Sequence, residues 1–331
     1  VTPELPAPLR AAIDRELQGV SRKGLAERAQ RTSAAYRAGQ SSAGVIRSAE
    51  DALAYALARL PATYAACLTV FAEAERMAPQ YTPRRLLDAG SGTAAASWAA
   101  SAVWPLEQVT WLDSSRPFLE MAARLASEGP GALKGSERIR ADLTGAADSW
   151  PKADVVCASY ALAEIAAERQ AAVVSGLWAA CEGLLVLVEP GTPAGYARIL
   201  AARQALIAQG AALLAPCPHS ADCPLTGSDW CHFSVRLPRS RDHRLAKGAE
   251  VPFEDERFAY LIAARPDVAA GARSPRVLAP PRSGKPGIDL KLCTDQGLEQ
   301  RFVGKRDKAG HGVARRLGWG DVWPASGPGE D

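Results

Sequence analysis

The sequence predicts an α/β protein: a doubly wound parallel sheet, a helical region before it and a cysteine-bearing β extension after it. Three observations carry this. Leu86-Leu-Asp-Ala-Gly-Ser-Gly-Thr93 reads as strand, glycine turn and helix start. Residues 84–190 alternate strand and helix patterns, as parallel strands with crossover helices require. Leu184-Leu-Val-Leu-Val-Glu-Pro190 is an almost unbroken apolar run, suited to a strand buried on both faces.

The elements follow in order. Residues 1–80 read as helical, with Glu50 to Met77 an Ala-rich helical stretch that Pro61 should kink or divide. Residues 81–215 form the Rossmann-like core. Its first strand ends at Asp88, and Ala94 to Ser101 is the helix after the turn. Val109 to Asp113 is the second strand, Arg138 to Asp142 the third, Asp154 to Tyr160 the fourth and Leu184 to Pro190 the fifth. Ala194 to Ala215 reads as one helix. Residues 216–304 form the extension, with a Pro/Gly-rich linker at Gly271 to Gly287 and a hairpin of Ile288–Thr294 with Leu298–Val303. Residues 305–331 are a basic tail, expected to be partly flexible.

Composition narrows the function classes. The chain has 331 residues and a net charge of +3, unevenly divided. Residues 1–231 hold 21 Lys+Arg against 23 Asp+Glu, and residues 232–331 hold 18 against 13. The basic surplus suits a polyanionic partner for the second part. No apolar run is long enough to cross a membrane, and no DNA partner is expected. The start, Val1-Thr-Pro-Glu-Leu-Pro6, lacks the basic and apolar regions of a signal peptide, so the expected compartment is the cytoplasm.

The glycine turn should place bare backbone N–H groups beside a nucleotide, with no room for side chains at Gly90 and Gly92. Gly90, Gly92 and Ala95 also fit a dinucleotide fingerprint. Asp88 decides between ligands. A carboxylate there opposes a pyrophosphate and pairs with the ammonium of S-adenosylmethionine. The acid–x–Gly–x–Gly order is similar to that of class I methyltransferases. Asp113, 25 residues on, lies where an acid meets ribose hydroxyls, and Asp142 is placed to reach an adenine amino group.

Seven cysteines fall into two groups. Cys67, Cys157 and Cys181 sit singly in apolar contexts and read as core. Cys217, Cys223 and Cys231, spaced C-x5-C-x7-C in a polar, Pro- and Gly-rich segment, read as metal ligands. Cys293 would complete an all-cysteine site for an iron–sulfur cluster or zinc. His219 or His232 would instead complete a Cys3His site, which favours zinc.

Taken together, several motifs resemble one family: the methyltransferase-like assembly factors of the mitochondrial small ribosomal subunit and their bacterial relatives. They are Arg59-Leu-Pro-Ala-Thr-Tyr64, Leu87-Asp-Ala-Gly-Ser-Gly-Thr93, Ser159-Tyr-Ala-Leu-Ala-Glu164, Val188-Glu-Pro-Gly-Thr-Pro193, Asp229-Trp-Cys-His-Phe-Ser234 and Leu237-Pro-Arg-Ser-Arg241. The resemblance runs from about Arg59 to Trp319. It implies a class I methyltransferase fold, a [4Fe-4S] cluster and binding to small-subunit ribosomal RNA. By motif, the cluster ligands would be Cys217, Cys223 and Cys231, with Cys293 as the only cysteine downstream. The adenosylmethionine positions would be Asp88, Gly90, Gly92 and Asp113. Arg239, Arg241, Arg244 and Lys247, just past the cysteine motif, are expected to contact RNA phosphates. No catalytic residue is assigned. Where methylation of base amino groups uses Asn/Asp-Pro-Pro-aromatic after the fourth strand, this chain has Ser159-Tyr-Ala-Leu162. Three functions follow in order: an adenosylmethionine-binding methyltransferase-fold protein acting on the small subunit, in ribosomal RNA methylation, subunit assembly or both; a non-catalytic assembly factor that uses the fold as an RNA-binding platform; and a nicotinamide-dependent oxidoreductase.

Overall fold

The structure is a computed structural model describing residues 3–37 and 42–324. Its centre is a twisted sheet in the order β3-β2-β1-β4-β5-β8-β6. The parallel strands are β1 (Arg85–Ala89), β2 (Gln108–Asp113), β3 (Glu137–Arg140), β4 (Ala153–Ser159) and β5 (Cys181–Pro190). β8 (Phe253–Ala264) runs antiparallel to β5. β6 (Ala212–Ala215) and β7 (Phe233–Pro238) both pair antiparallel with β8, one at each end of it. They lie along the β8 edge that β5 does not occupy. The intervening chain, 216–232, therefore loops out beside Ala259–Leu261.

β1, β2, β4 and β5 form where the apolar runs lie, while β3, Glu137-Arg-Ile-Arg140, is a mostly exposed edge strand. β5 is buried from Gly183 to Glu189, as a sheet centre flanked by helices on both faces requires. One face carries the N-terminal helices: α1 (Ala7–Glu16), α2 (Arg22–Arg37), the short α3 (Ser42–Val45), α4 (Ala49–Ala58) and α5 (Leu60–Met77), joined by α6 (Ala95–Val103), α7 (Arg116–Leu125) and the short α8 (Gly131–Lys134). α9 (Ala167–Ala180) and α10 (Pro193–Ala208) cover the other. A capping box starts α4: Ser48 Oγ accepts from Asp51 N–H, and the Asp51 carboxylate accepts from Ser48 N–H. Pro61 sits in the first turn of α5, where its missing N–H costs nothing. The α4–α5 pair bends by 54° there, as the sequence predicts. Among the described residues, no single helix is long and apolar enough to cross a membrane.

Three expectations change. The helix expected over Ala194–Ala215 ends at Ala208: Gly210 adopts φ +78, and the chain returns as β6. The linker at Gly271–Gly287 contains β9 (Arg276–Val277) and β10 (Arg282–Ser283), which both pair with β11 (Gly287–Thr294). With β12 (Gly297–Gly304) these make a second, four-stranded antiparallel sheet, and the expected hairpin is its centre. The basic tail begins with α12 (Lys308–Ala314). Val322 then bridges to Arg276, and Trp323 is buried against Val277 and Leu292. Tail residues 325–331 lie outside the described residues.

Candidate cofactor and cysteine sites

The glycine turn is built differently from expectation. Gly90 and Ser91 N–H both donate to the Leu112 carbonyl, at 2.7 and 3.2 Å. Gly92 N–H donates to Asp113 Oδ2 at 2.8 Å, and Ser115 N–H donates to Asp113 Oδ1 at 2.8 Å. The N–H groups expected to be bare are thus held by β2. Gly90, at φ +74, is glycine for an internal reason: an added Cβ would lie 2.7 Å from Ala161 Cβ. Gly92, at φ +53, faces open space.

Asp88 is fully buried. Its Oδ2 accepts from Ser97 N–H (3.1 Å) and Ser97 Oγ (2.6 Å), and the Trp111 indole donates to Ser97 Oγ (3.0 Å). Asp88 Oδ1, Ser91 Oγ and Thr93 Oγ1 are buried without a partner among the described residues. Burial pushes the Asp88 carboxyl up to about 6; the Ser97 bonds oppose this, and the Asp113 charge adds to it. Burial also raises Asp113, against the pull of its two N–H donors. Among the described residues, neither carboxylate is in an ion pair. Two uncompensated buried acids and three unpartnered oxygens suit a ligand carrying positive charge and polar groups. They would repel a pyrophosphate. Asp142 stands apart. It is exposed, and its Oδ1 accepts from Thr144 N–H (2.7 Å) and Oγ (2.8 Å), closing its own turn. The strand ends two residues before it, so its side chain is spent locally.

Several neighbours were not legible as site residues. Tyr55 packs on Phe118 with centroids 4.8 Å apart, Tyr36 meets Tyr55 edge-on, and both tyrosines lie within electrostatic reach of Asp113. Ser42 N–H and Oγ donate to Glu164 Oε2, at 2.7 and 2.6 Å, joining α3 to the segment after β4. Tyr160, at φ +58, donates to Glu256 Oε1 (2.8 Å), which Arg59 also pairs at 3.1 Å. A left-handed, non-glycine residue at a strand tip is a strained position of the kind held at functional sites. The motifs at Arg59 and Tyr160 were visible in the sequence, but their meeting at Glu256 depends on β8.

The cysteines converge. Cys217, Cys223, Cys231 and Cys293 line one small chamber of about 40 Å³ between α10, the β8 edge and β11. Among the described residues, no group of three or more His, Cys, Asp or Glu is placed to hold a metal ion. Burial, then the other thiols, raises Cys231 well above its ordinary value; the same causes push Cys293 up to about 12. Cys217 is raised by burial, while Arg203 opposes. His219 lines the chamber too, with Nε2 3.6 Å from Cys293 Sγ. His232 instead stacks on Trp230 and meets Trp319 edge-on. Cys67, Cys157 and Cys181 are buried core residues.

The four basic residues after the cysteine motif separate. Arg239 pairs with Glu254 at 3.2 Å, Lys247 pairs with the same carboxylate, and His243 lies 3.4 Å from it. These partners hold Glu254 well below the ordinary carboxylate range, despite its burial. Arg239 and Lys247 thus serve an internal charge. Arg241 is exposed at the start of α11 (Arg241–Lys247), and Arg244 is half-buried on it.

A parallel five-stranded sheet extended by antiparallel strands, with an acidic glycine turn after β1, defines a class I methyltransferase-type fold. Residues 49–324 match the family model described as Mitochondrial small ribosomal subunit Rsm22, and the chain belongs to this family. It is 29% identical over 299 residues to the Homo sapiens Ribosome assembly protein METTL17, mitochondrial, covering 83% of this chain and 63% of that protein. It is 25% identical over 329 residues to the Rsm22-cox11 tandem protein 2, mitochondrial, of Schizosaccharomyces pombe, covering 83% of this chain and 43% of that one. The chain thus spans less than two thirds of the curated relatives it matches. A solved magnesium protoporphyrin IX methyltransferase from Synechocystis PCC 6803 aligns at 17% identity and TM-score 0.39, over 66% of this chain and 83% of that one. The cytoplasmic expectation is overturned, because the family and the curated relatives are described as mitochondrial. It rested on the residues after Val1, and neither these nor the composition encode a compartment.

Proposed function

We propose that this chain is an assembly factor of the small ribosomal subunit that binds S-adenosylmethionine at the β1 turn and carries a [4Fe-4S] cluster on Cys217, Cys223, Cys231 and Cys293. The single observation behind the cluster is the convergence of four thiols from a loop and a distant strand on one chamber. An all-cysteine set of this kind suits an iron–sulfur cluster or zinc. Thiols held protonated by burial and mutual repulsion lose their protons only to a cation, so metal binding releases protons. The adenosylmethionine reading rests on the uncompensated Asp88 and Asp113. Its ammonium and sulfonium supply the missing charge, whereas a dinucleotide brings a pyrophosphate. If methyl transfer occurs, it is direct displacement from adenosylmethionine to ribosomal RNA, with the protein chiefly positioning the acceptor. The Rsm22 family membership supports the small subunit as partner.

Anaerobic purification tests the cluster. A brown protein with equal iron and sulfide supports it. A colourless protein with one equivalent of zinc leaves a zinc site, and loss of that zinc in His219→Ala but not Cys293→Ser would make His219 the fourth ligand. For the nucleotide, calorimetry should give adenosylmethionine binding that adenosylhomocysteine competes away; competition by a nicotinamide dinucleotide would reverse the ligand assignment. Methyl incorporation into isolated small subunits separates an enzyme from a non-catalytic factor.

A further inference from the structure

Arg203 is 3% exposed and projects from α10 into the cysteine chamber. Among the described residues it has no carboxylate partner. Its Nη2 donates to the carbonyls of His219 (3.0 Å) and Ala221 (2.6 Å), and its Nε is buried without a partner. Carbonyl dipoles satisfy hydrogen bonds but do not cancel a charge, and an unpaired buried cation is costly. Two turns earlier on α10, Tyr196 Oη lies 3.1 Å from Cys223 Sγ. An iron-bound cysteine sulfur carries no proton, so in that state the tyrosine must be the donor. Both residues share the α10 face that closes the chamber, beside two of the four thiols. The Arg203 charge acts on both Cys217 and Cys293.

We infer that Arg203 is the buried counter-charge of the metal group and Tyr196 its hydrogen-bond donor, so that α10 sets the electron affinity and persistence of the cluster without ligating it. This rests on the cluster reading above. Four thiolates around iron and sulfide give a net anion, and each added electron makes it more negative. A fixed cation and an O–H donor at the sulfurs favour the more reduced state. Both therefore raise the reduction potential, and both offset the repulsion that raises the thiols. The element that covers the cluster is also the helix that packs on β5 of the core. The sequence shows Tyr196 and Arg203 only as polar positions in an Ala- and Leu-rich helix.

The test uses the full chain purified anaerobically, with iron, acid-labile sulfide and midpoint potential measured for each variant. Tyr196→Phe should keep wild-type iron and sulfide but show a more negative midpoint. Arg203→Gln should shift it the same way and lose iron faster in air. Arg203→Lys, which keeps the charge, should restore much of the midpoint, which a purely structural role would not give. If Arg203→Gln fails to fold, Tyr196→Phe and Arg203→Lys still decide. Unchanged midpoints in cluster-loaded Tyr196→Phe and Arg203→Gln would overturn the inference and leave the cluster standing. Wild-type protein without iron and sulfide would overturn the cluster reading and this inference together.

Discussion

At the residue scale, Asp88 carries the argument for the ligand, and its ionisation can be followed. Its folded pKa of about 6 lies above the ordinary 3.8. A carboxyl raised in this way contributes stability that is complete below pH 3.8 and lost as pH rises through about 6. The apo protein should therefore lose stability across that window, and a cationic ligand should restore it by stabilising the carboxylate. Adenosylmethionine affinity should rise from pH 5 to 7, with proton release near pH 6 visible as a buffer-dependent heat of binding. Asp88→Asn keeps an acceptor for Ser97 but presents an amide where the acid was. It should weaken binding at least about tenfold and flatten the pH dependence while the fold persists. Retained affinity in Asp88→Asn would remove Asp88 from the site. The two glycines separate by mechanism. Gly90→Ala meets Ala161 and a left-handed backbone and should cost about 2–4 kcal/mol in urea unfolding. Gly92→Ala has space and should cost only the conformational strain, about 1 kcal/mol. Equal losses would mean that the packing under Gly90 has been misread.

Among the elements, β8 shows where sequence reading stopped. β1, β2, β4 and β5 were legible because strands buried on both faces write apolar runs, whereas the edge strand β3, Glu137-Arg-Ile-Arg140, is mostly exposed. β8 opens with Phe253-Glu-Asp-Glu-Arg257, where Asp255 pairs with Arg236 of β7, Glu254 with Arg239 and Lys247, and Glu256 with Arg59 and Tyr160; these charges mask the apolar half that follows. β6 was hidden because Ala and Leu favour helix until Gly210 intervenes. The cysteines were legible by spacing, whereas the convergence of Cys293 on them depends on the register of β11, which no local pattern encodes. The basic residues after β7 were legible as charges but not as partners. Glu254, in β8, holds Arg239 and Lys247, so substitutions there should act on stability. Arg239→Ala should cost about 3 kcal/mol, the range for breaking a buried ion pair. With its pKa depressed below the ordinary 4.5, Glu254 adds stability that is present above pH 4.5 and lost as pH falls through its folded value. Arg241→Gln should leave the melting temperature alone and lower the salt slope of RNA binding by about 0.9, one phosphate contact. An unchanged slope would make Arg241 a solvated surface residue.

Across the whole molecule, side chains from the edge of the central sheet and from the second sheet meet at the cysteine chamber. Cys217, Cys223 and Cys231 lie on the loop that leaves the edge of β8, and Cys293 lies on β11 of the second sheet. Next to Cys293 in the ladder, Arg276 ties the same region by a separate route. It pairs with Glu73 of α5 and donates to the carbonyls of Pro216 and Gly320. The second sheet also has its own apolar core of Val277, Ile288, Leu290, Leu292, Val303 and Trp323. Loss of metal should therefore loosen the docking of this sheet without unfolding it. After chelation, or in Cys293→Ser, hydrogen exchange should accelerate in the loop 216–232, in β9 and in the Cys293 end of β11. Protection should persist in β1 to β5, where burial is independent of the chamber. Affinity for small-subunit RNA should fall, because the basic C-terminal part would be held less firmly, while adenosylmethionine affinity should stay within about twofold. Adding Arg276→Gln to the metal-free protein should then loosen the second sheet further, leaving Lys291 on Asp229 and Trp319 on His232 as the remaining ties. Uniform loss of protection across β1 to β5 on chelation would show that the metal stabilises the whole fold rather than the junction. Unchanged exchange in β9 and β11 would show that Arg276 and the apolar core hold the junction alone.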